Sequence, residues 1–92
     1  MERITNRHLD VRLAYLNDLL GVGAATPGVY DPAPGRHYIG SQLGGYRVEA
    51  FCTGGGSRDV QPRRGTRRQA FDFLGAMIAG IEASRAGHGE QA

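Results

Sequence analysis

The sequence predicts an α+β domain in the order α-β-β-β-α, with two helices packed on one face of a three-stranded antiparallel sheet. Three observations carry this. Leu9, Leu13, Leu16 and Leu20 recur at helical spacing near the start of the chain. Gly44-Gly45 separates two runs in which apolar and polar residues alternate, a hairpin signal. Thr66 followed by Gln69 reads as a capping box, in which each residue's side chain bonds the other's backbone N–H, and it opens a second apolar-periodic stretch.

The first helix spans residues 5–20. Thr5 or Asn6 caps its start and Gly21 stops it. The leucine stripe is the buried face, which turns Arg7, Arg12, Asn17 and Asp18 toward water. Val11 and Tyr15 lie off the stripe, either widening it or staying partly exposed. Residues 21–36 are a Gly/Pro/Ala-rich connection, including Pro27-Gly28 and Asp31-Pro32-Ala33-Pro34-Gly35, too rich in proline for helix or central strand. Val29 and Tyr30 are its candidate anchors.

In the hairpin, residues 37–43 and 46–53 are the strands and Gly44-Gly45 the turn. A tight turn sets Leu43 opposite Tyr46, Ser41 opposite Val48, Ile39 opposite Ala50 and His37 opposite Cys52, and this mostly apolar set faces the core. Tyr38, Gln42, Arg47, Glu49 and Phe51 take the other, open face, with Tyr38 opposite Phe51. A slip of one residue would exchange the faces. Gly54-Gly55-Gly56 leads to a third strand over residues 57–61, with Val60 inward, ended by Pro62. The second helix covers 67–83 and buries Ala70, Leu74, Met77, Ile78 and Ile81, with Phe71 extending the stripe and Phe73 to one side. Gly75 and Gly80 each weaken it by ~1 kcal/mol relative to Ala, which points to close approach of the sheet or the first helix. Residues 1–84 then form one compact domain and 85–92 a frayed polar tail.

Size and composition narrow the chemistry. Ninety-two residues make one domain. All 11 basic residues are arginine, each a planar fork suited to phosphate and carboxylate. The net charge of +2 is too small for bulk polycation behaviour, so any anion binding must come from clustering. Cys52 is the single cysteine, which excludes an internal disulfide and gives no metal-ligand spacing. No apolar run resembles a signal peptide or approaches the ~20 residues of a membrane span. The expectation is a non-enzymatic protein of the bacterial cytoplasm, without cofactor, metal or membrane.

The candidate sites follow. Arg63, Arg64, Arg67 and Arg68 surround the start of the second helix, where free backbone N–H groups also favour anions. They are either a grip on an anionic partner, nucleic acid or acidic protein, or a solvated loop of an arginine-rich chain. Tyr38, Phe51 and Arg47 on the open sheet face have the composition of a stacking platform or of a protein-binding hot spot; an ordinary cross-strand aromatic pair is the plainer reading. His37 and Cys52 are the one Cys/His couple the register brings together, and without an orienting third group they read as a core-edge histidine beside a small thiol. Gly54-Gly55-Gly56-Ser57 is followed by no Lys-Ser/Thr and no helix, so it is a loose turn and not a phosphate loop.

The α-β-β-β-α order with basic residues opening the last helix resembles a double-stranded-RNA-binding domain. That resemblance implies phosphate contacts from Arg63, Arg64, Arg67 and Arg68. Phe71, Phe73 and Met77 depart from the small-residue pattern of that family's second helix. The pattern Ile4-Thr5-Asn6-x-His8-Leu9, Leu16-Asn17, Tyr38-x-x-x-x-Leu43-Gly44-Gly45-Tyr46 and Gly54-Gly55-Gly56-x-x-Asp59-Val60, closed by the arginine-rich helix, is similar to small proteins of tailed phages and prophages from GC-rich bacteria. It implies an accessory protein that binds and blocks or modulates a host protein or nucleoprotein complex, such as an anti-defence, anti-CRISPR-like inhibitor. The alternative is a module that binds RNA or DNA directly. An open sheet face and a strand edge at 57–61 also make a homodimer reasonable.

Overall fold

A computed structural model of the chain describes residues 3–23, 33–42 and 44–90. Helix α1 (Asn6–Leu19) is followed by strands β1 (His37–Gln42), β2 (Gly45–Phe51) and β3 (Ser57–Asp59), then helix α2 (Arg67–Glu90). The sheet is antiparallel in the order β1-β2-β3, so β2 is central. Ile4, Leu9 and Leu16 meet Val48 of β2 and Ala70 and Leu74 of α2 in the core, with Ile39, Tyr46, Phe71 and Met77 packed around them. The α+β class and the α-β-β-β-α order are those read from the leucine stripe, the hairpin and the capping box. The expectations for residues 24–32, including Val29 and Tyr30, for Leu43 and for residues 91–92 lie outside the described residues.

Thr5 caps α1. Its Oγ1 accepts from the His8 N–H, and its own N–H donates to His8 Nδ1 at 2.9 Å. A histidine therefore completes the box where glutamate or glutamine is usual. Leu9 and Leu16 of the leucine stripe are buried and Leu13 is half-buried, but Leu20 is the C-cap and turns outward, 39% exposed. Two polar residues expected in water are not there. Arg12 packs on α2, donating to the Phe71 carbonyl at 2.8 Å with its guanidinium 3.5 Å from the ring centroid. Asn17 is buried; its amide oxygen accepts from the His37 N–H at 2.8 Å and its NH2 donates to the His37 carbonyl at 3.1 Å. It thereby pairs both backbone groups of His37, at the start of the outer edge of β1, which no strand covers among the described residues.

The hairpin register differs from expectation by two residues. His37 pairs with Ala50, Ile39 with Val48, Ser41 with Tyr46 and Gln42 with Gly45. Gly45 is a strand residue: its φ of +110° and the Gly65 carbonyl beside it leave no room for a side chain. The connection therefore falls one residue earlier, with Gly44 at φ +100°. A slip of two residues keeps every side chain on its expected face but changes its neighbour. Tyr38 stands opposite Glu49, not Phe51, and His37 stands opposite Ala50, not Cys52, so the Cys/His couple does not form.

Strand β3 ends at Asp59, short of the expected residue 61. The N–H groups of Val60 and Gln61 both donate to the Val48 carbonyl at 3.0 Å, two residues against one as in a bulge. The Gln61 side chain then accepts from the Val48 N–H at 3.1 Å, in place of a backbone acceptor. Helix α2 continues past residue 83 to Glu90, so residues 85–90 are its last turns and not a separate tail. No proline interrupts them, and Arg85 donates to the Leu19 carbonyl at the end of α1. Gly75 is a point of close approach, pressed by the Arg12 guanidinium, whereas Gly80 has no atom within 4 Å of where a side chain would start.

Replacing Asn17 by alanine orphans the buried N–H and C=O of His37. Urea unfolding should show a loss of about 2–4 kcal/mol; a loss below about 0.5 kcal/mol, the range of ordinary surface changes, would exclude the clamp.

Candidate functional site

The arginine segment is positioned by backbone pairing. Tyr46 and Gly65 exchange N–H···O bonds of 2.8 Å in both directions, so the chain entering α2 runs antiparallel to the start of β2. The helix then begins through the expected box: Thr66 N–H donates to Gln69 Oε1 at 2.8 Å and Gln69 N–H to Thr66 Oγ1 at 3.1 Å. A side chain on Gly65 would overlap that Gln69 oxygen. Glycine is thus required on both sides of the bridge, by a carbonyl at Gly45 and by the capping box at Gly65.

The four arginines, adjacent in sequence, separate in space. Arg64 precedes the helix and folds onto the outer sheet face, where its Nη2 donates to Gln42 Oε1 at 3.1 Å and lies 3.7 Å from Glu49 Oε2. Arg67, the first residue of α2, turns to the opposite side; its Nε donates to Asn6 Oδ1 at 3.1 Å and its guanidinium lies 5.1 Å from the Tyr46 ring centroid. Arg63 and Arg68 are exposed. Arg67 is held by neutral groups, so its charge reaches the surface uncompensated by a carboxylate among the described residues.

The outer sheet face is a network of alternating charge. Tyr38 and Phe51 stack at 4.5 Å between centroids and 27° between planes, as diagonal neighbours. Both are half-buried. The Tyr38 hydroxyl donates to Glu49 Oε1 at 3.1 Å. Arg47 lies between Glu49, at 3.8 Å, and Asp59, at 2.9 Å. The Glu49 carboxylate sits over Gly40, where any side chain would displace it. Among the described residues Arg47 Nε, Glu49 Oε2 and Arg64 Nη1 are buried without a hydrogen-bond partner, so these charges meet by proximity more than by hydrogen bonding. The sequence reading placed Arg47, Tyr38 and Phe51 on this face correctly but missed that Glu49 and Asp59 balance Arg47 there. The signal was cross-strand: Glu49 faces both Tyr38 and Asp59 once the register is known.

His37 is buried at the start of β1, with Nδ1 2.9 Å from the Gly35 carbonyl. Burial holds its pKa below the ordinary 6.5, against the raising effect of the Gly35 carbonyl, and the Arg58 charge adds to the lowering. Cys52 is half-buried just beyond β2, its N–H bonded to the Gly56 carbonyl at 2.7 Å. Among the described residues no group of three or more His, Cys, Asp or Glu side chains is arranged to hold a metal ion, and no helix is long and apolar enough to cross a membrane.

These features define an α+β protein whose last helix presents an arginine-bearing start, braced against the central strand. No family model matches the chain, and no curated protein and no solved structure is detectably similar to it.

Because the folded state favours neutral His37, the unfolded chain binds more protons as pH falls below 6.5. The stability from this group is complete above that pH and lost below it. The melting temperature should fall between about pH 7.5 and pH 5, and a His37→Gln variant should show a shallower fall. An equally steep fall in the variant would assign the pH dependence to other groups.

Proposed function

We propose that the protein is a non-enzymatic, phage-type accessory module that docks on an acidic surface of a host protein or nucleoprotein complex and thereby blocks or modulates it. An anti-defence inhibitor is the specific form this takes. The supporting observation is the Arg67 charge, which no carboxylate among the described residues balances, at a helix start braced against β2. Arg67 is held by Asn6 and an aromatic ring, Arg63 and Arg68 are exposed, and the Tyr46–Gly65 bonds hold the backbone between them. Guanidinium groups carried on a fixed backbone bind carboxylates with less ordering cost than they would on a mobile loop. Tyr38, Phe51 and Arg47 form the second contact face, a stacked pair with an arginine beside it, the residue types that dominate protein-binding hot spots.

Direct binding of RNA or DNA by the same arginines is the second reading. It is favoured by the basic opening of the last helix in an α-β-β-β-α chain and disfavoured by Arg64, which Glu49 and Gln42 already hold. Three remaining arginines would give a salt dependence of log K on log salt of about −2.7 on duplex.

The test is a titration of labelled duplex and single strands at low salt, beside affinity capture from a bacterial host lysate with and without nuclease. The protein-docking reading expects no nucleic-acid binding, and a nuclease-resistant partner lost in an Arg63→Glu/Arg68→Glu variant with an unchanged circular dichroism spectrum. A partner that disappears with nuclease, together with a salt slope near that value, would replace it by the nucleic-acid reading. A partner bound equally by the variant would remove the arginines from the site.

A further inference from the structure

Strand β1 is an edge of the sheet, and no strand covers its outer side among the described residues. In an antiparallel pair, residues directly opposite turn their N–H and C=O groups either toward each other or both away. Val48 and Tyr46, opposite Ile39 and Ser41, turn theirs away, to Val60 and Gln61 and to Gly65. Ile39 and Ser41 therefore aim theirs outward, where no described residue takes them. The His37 groups on the same edge are already held by Asn17.

A groove of about 290 Å³ runs beside these groups, lined by Asn6, Leu9 and Asp10 of α1 and by Ile39, Ser41 and Tyr46 of the sheet. Asn17 lies at the start of β1, and Asn6 is joined through Arg67 to the Tyr46 end of the sheet, so α1 runs antiparallel to β1. Asn6 is thus on the Ser41 side and Asp10 toward Ile39. Arg67 borders the Asn6 end, bonded to Asn6 Oδ1 and over the Tyr46 ring. Asp10 is exposed and meets no cation among the described residues.

We infer that this edge receives an extended segment of a protein partner, paired antiparallel to β1, with an acidic residue opposite Ser41 and a basic residue opposite Ile39. Two outward N–H and C=O pairs at two-residue spacing are matched in full only by another extended backbone. The segment's residues opposite Ile39 and Ser41 turn their side chains to the same face as those two, into the groove. They lie about 7 Å apart, close to the rise of about 6 Å from Asn6 to Asp10 along α1. One then meets Arg67 and the other Asp10. A second copy is excluded as that strand. Asn17 reaches the outer edge of β1, so α1 lies beneath it. Neighbouring strands are about 5 Å apart and packed helices about 8–10 Å, so two copies joined through β1 would drive their α1 helices together. The inference rests on the reading of Arg67 as a docking charge and names the form of what docks there.

The probe is the blocked pentapeptide acetyl-Thr-Glu-Val-Lys-Thr-amide, titrated to about 5 mM against the full chain by NMR, a range that captures weak complexes. The Ile39 and Ser41 amides should shift saturably and exchange more slowly with solvent. A probe N-methylated at its Glu and Lys, which removes two donors, should bind about tenfold more weakly. A probe with Glu and Lys exchanged, or an Asp10→Arg protein, should bind several-fold more weakly. Asp10 is exposed, and circular dichroism checks that the variant keeps its fold. No shift at Ile39 and Ser41, or equal binding of the methylated or the exchanged probe, would overturn the inference. If those results failed while a nuclease-resistant lysate partner was still lost in Arg63→Glu/Arg68→Glu, the docking reading would stand without its strand. A bound probe beside a nuclease-sensitive partner would do the reverse.

Discussion

Two hydrogen bonds of 2.8 Å between Tyr46 and Gly65 join the segment before α2 to the central strand, and most of the molecule is arranged around them. They make β2 a hub, with β1 on one side and, on the other, β3, the Gln61 side chain and Gly65 in turn. The approach is close enough to exclude a side chain at Gly45, so the strand must open on glycine. The next residue but one after Gly65 begins the helix. The bridge therefore sets where α2 starts and from which side of the sheet each arginine leaves.

Side chains complete this sheet where strands do not. Asn17 pairs the His37 N–H and carbonyl at the outer edge of β1 with its own amide, and the Gln61 amide oxygen takes the Val48 N–H beyond the end of β3. Both amides are buried. A buried backbone group left without a partner costs on the order of 1–3 kcal/mol, so short strands of this kind depend on such substitutes. Each also ties distant parts of the chain together, α1 to β1 and the turn after β3 to β2. The helices are tied to each other over a shared apolar core, with Arg12 on the Phe71 carbonyl, Arg67 on Asn6, Tyr15 on Glu82 and Arg85 on the end of α1.

What could be read from the sequence was what local chemistry determines. The Thr66/Gln69 box and the apolar stripes act within one or two helical turns, so their residues sit together in the chain, and the two sheet faces follow from strand parity, which a two-residue shift preserves. The register was not legible, because Gly45 owes its conformation to Gly65, a residue twenty positions on. The packing of half-buried Arg12 and the burial of Asn17 escaped for a similar reason. Periodicity assigns polar residues to water, yet α1 touches the sheet and α2 along a wider surface than its leucines cover. The arginine cluster was legible as composition but not as a single patch. Arg64 leaves an extended segment and Arg67 the first turn of a helix, and those backbones direct side chains to opposite sides.

The central claim is that the Tyr46–Gly65 pairing belongs to the cooperative core and is not a loose contact at its rim. Native-state hydrogen exchange measures this directly. The Tyr46 and Gly65 amides should exchange only by global unfolding, with protection matching that of the Val48 amide in mid-strand. Exchange as fast as in the exposed Gly54–Gly56 turn would contradict the account, and would free the arginine segment from the frame that positions it.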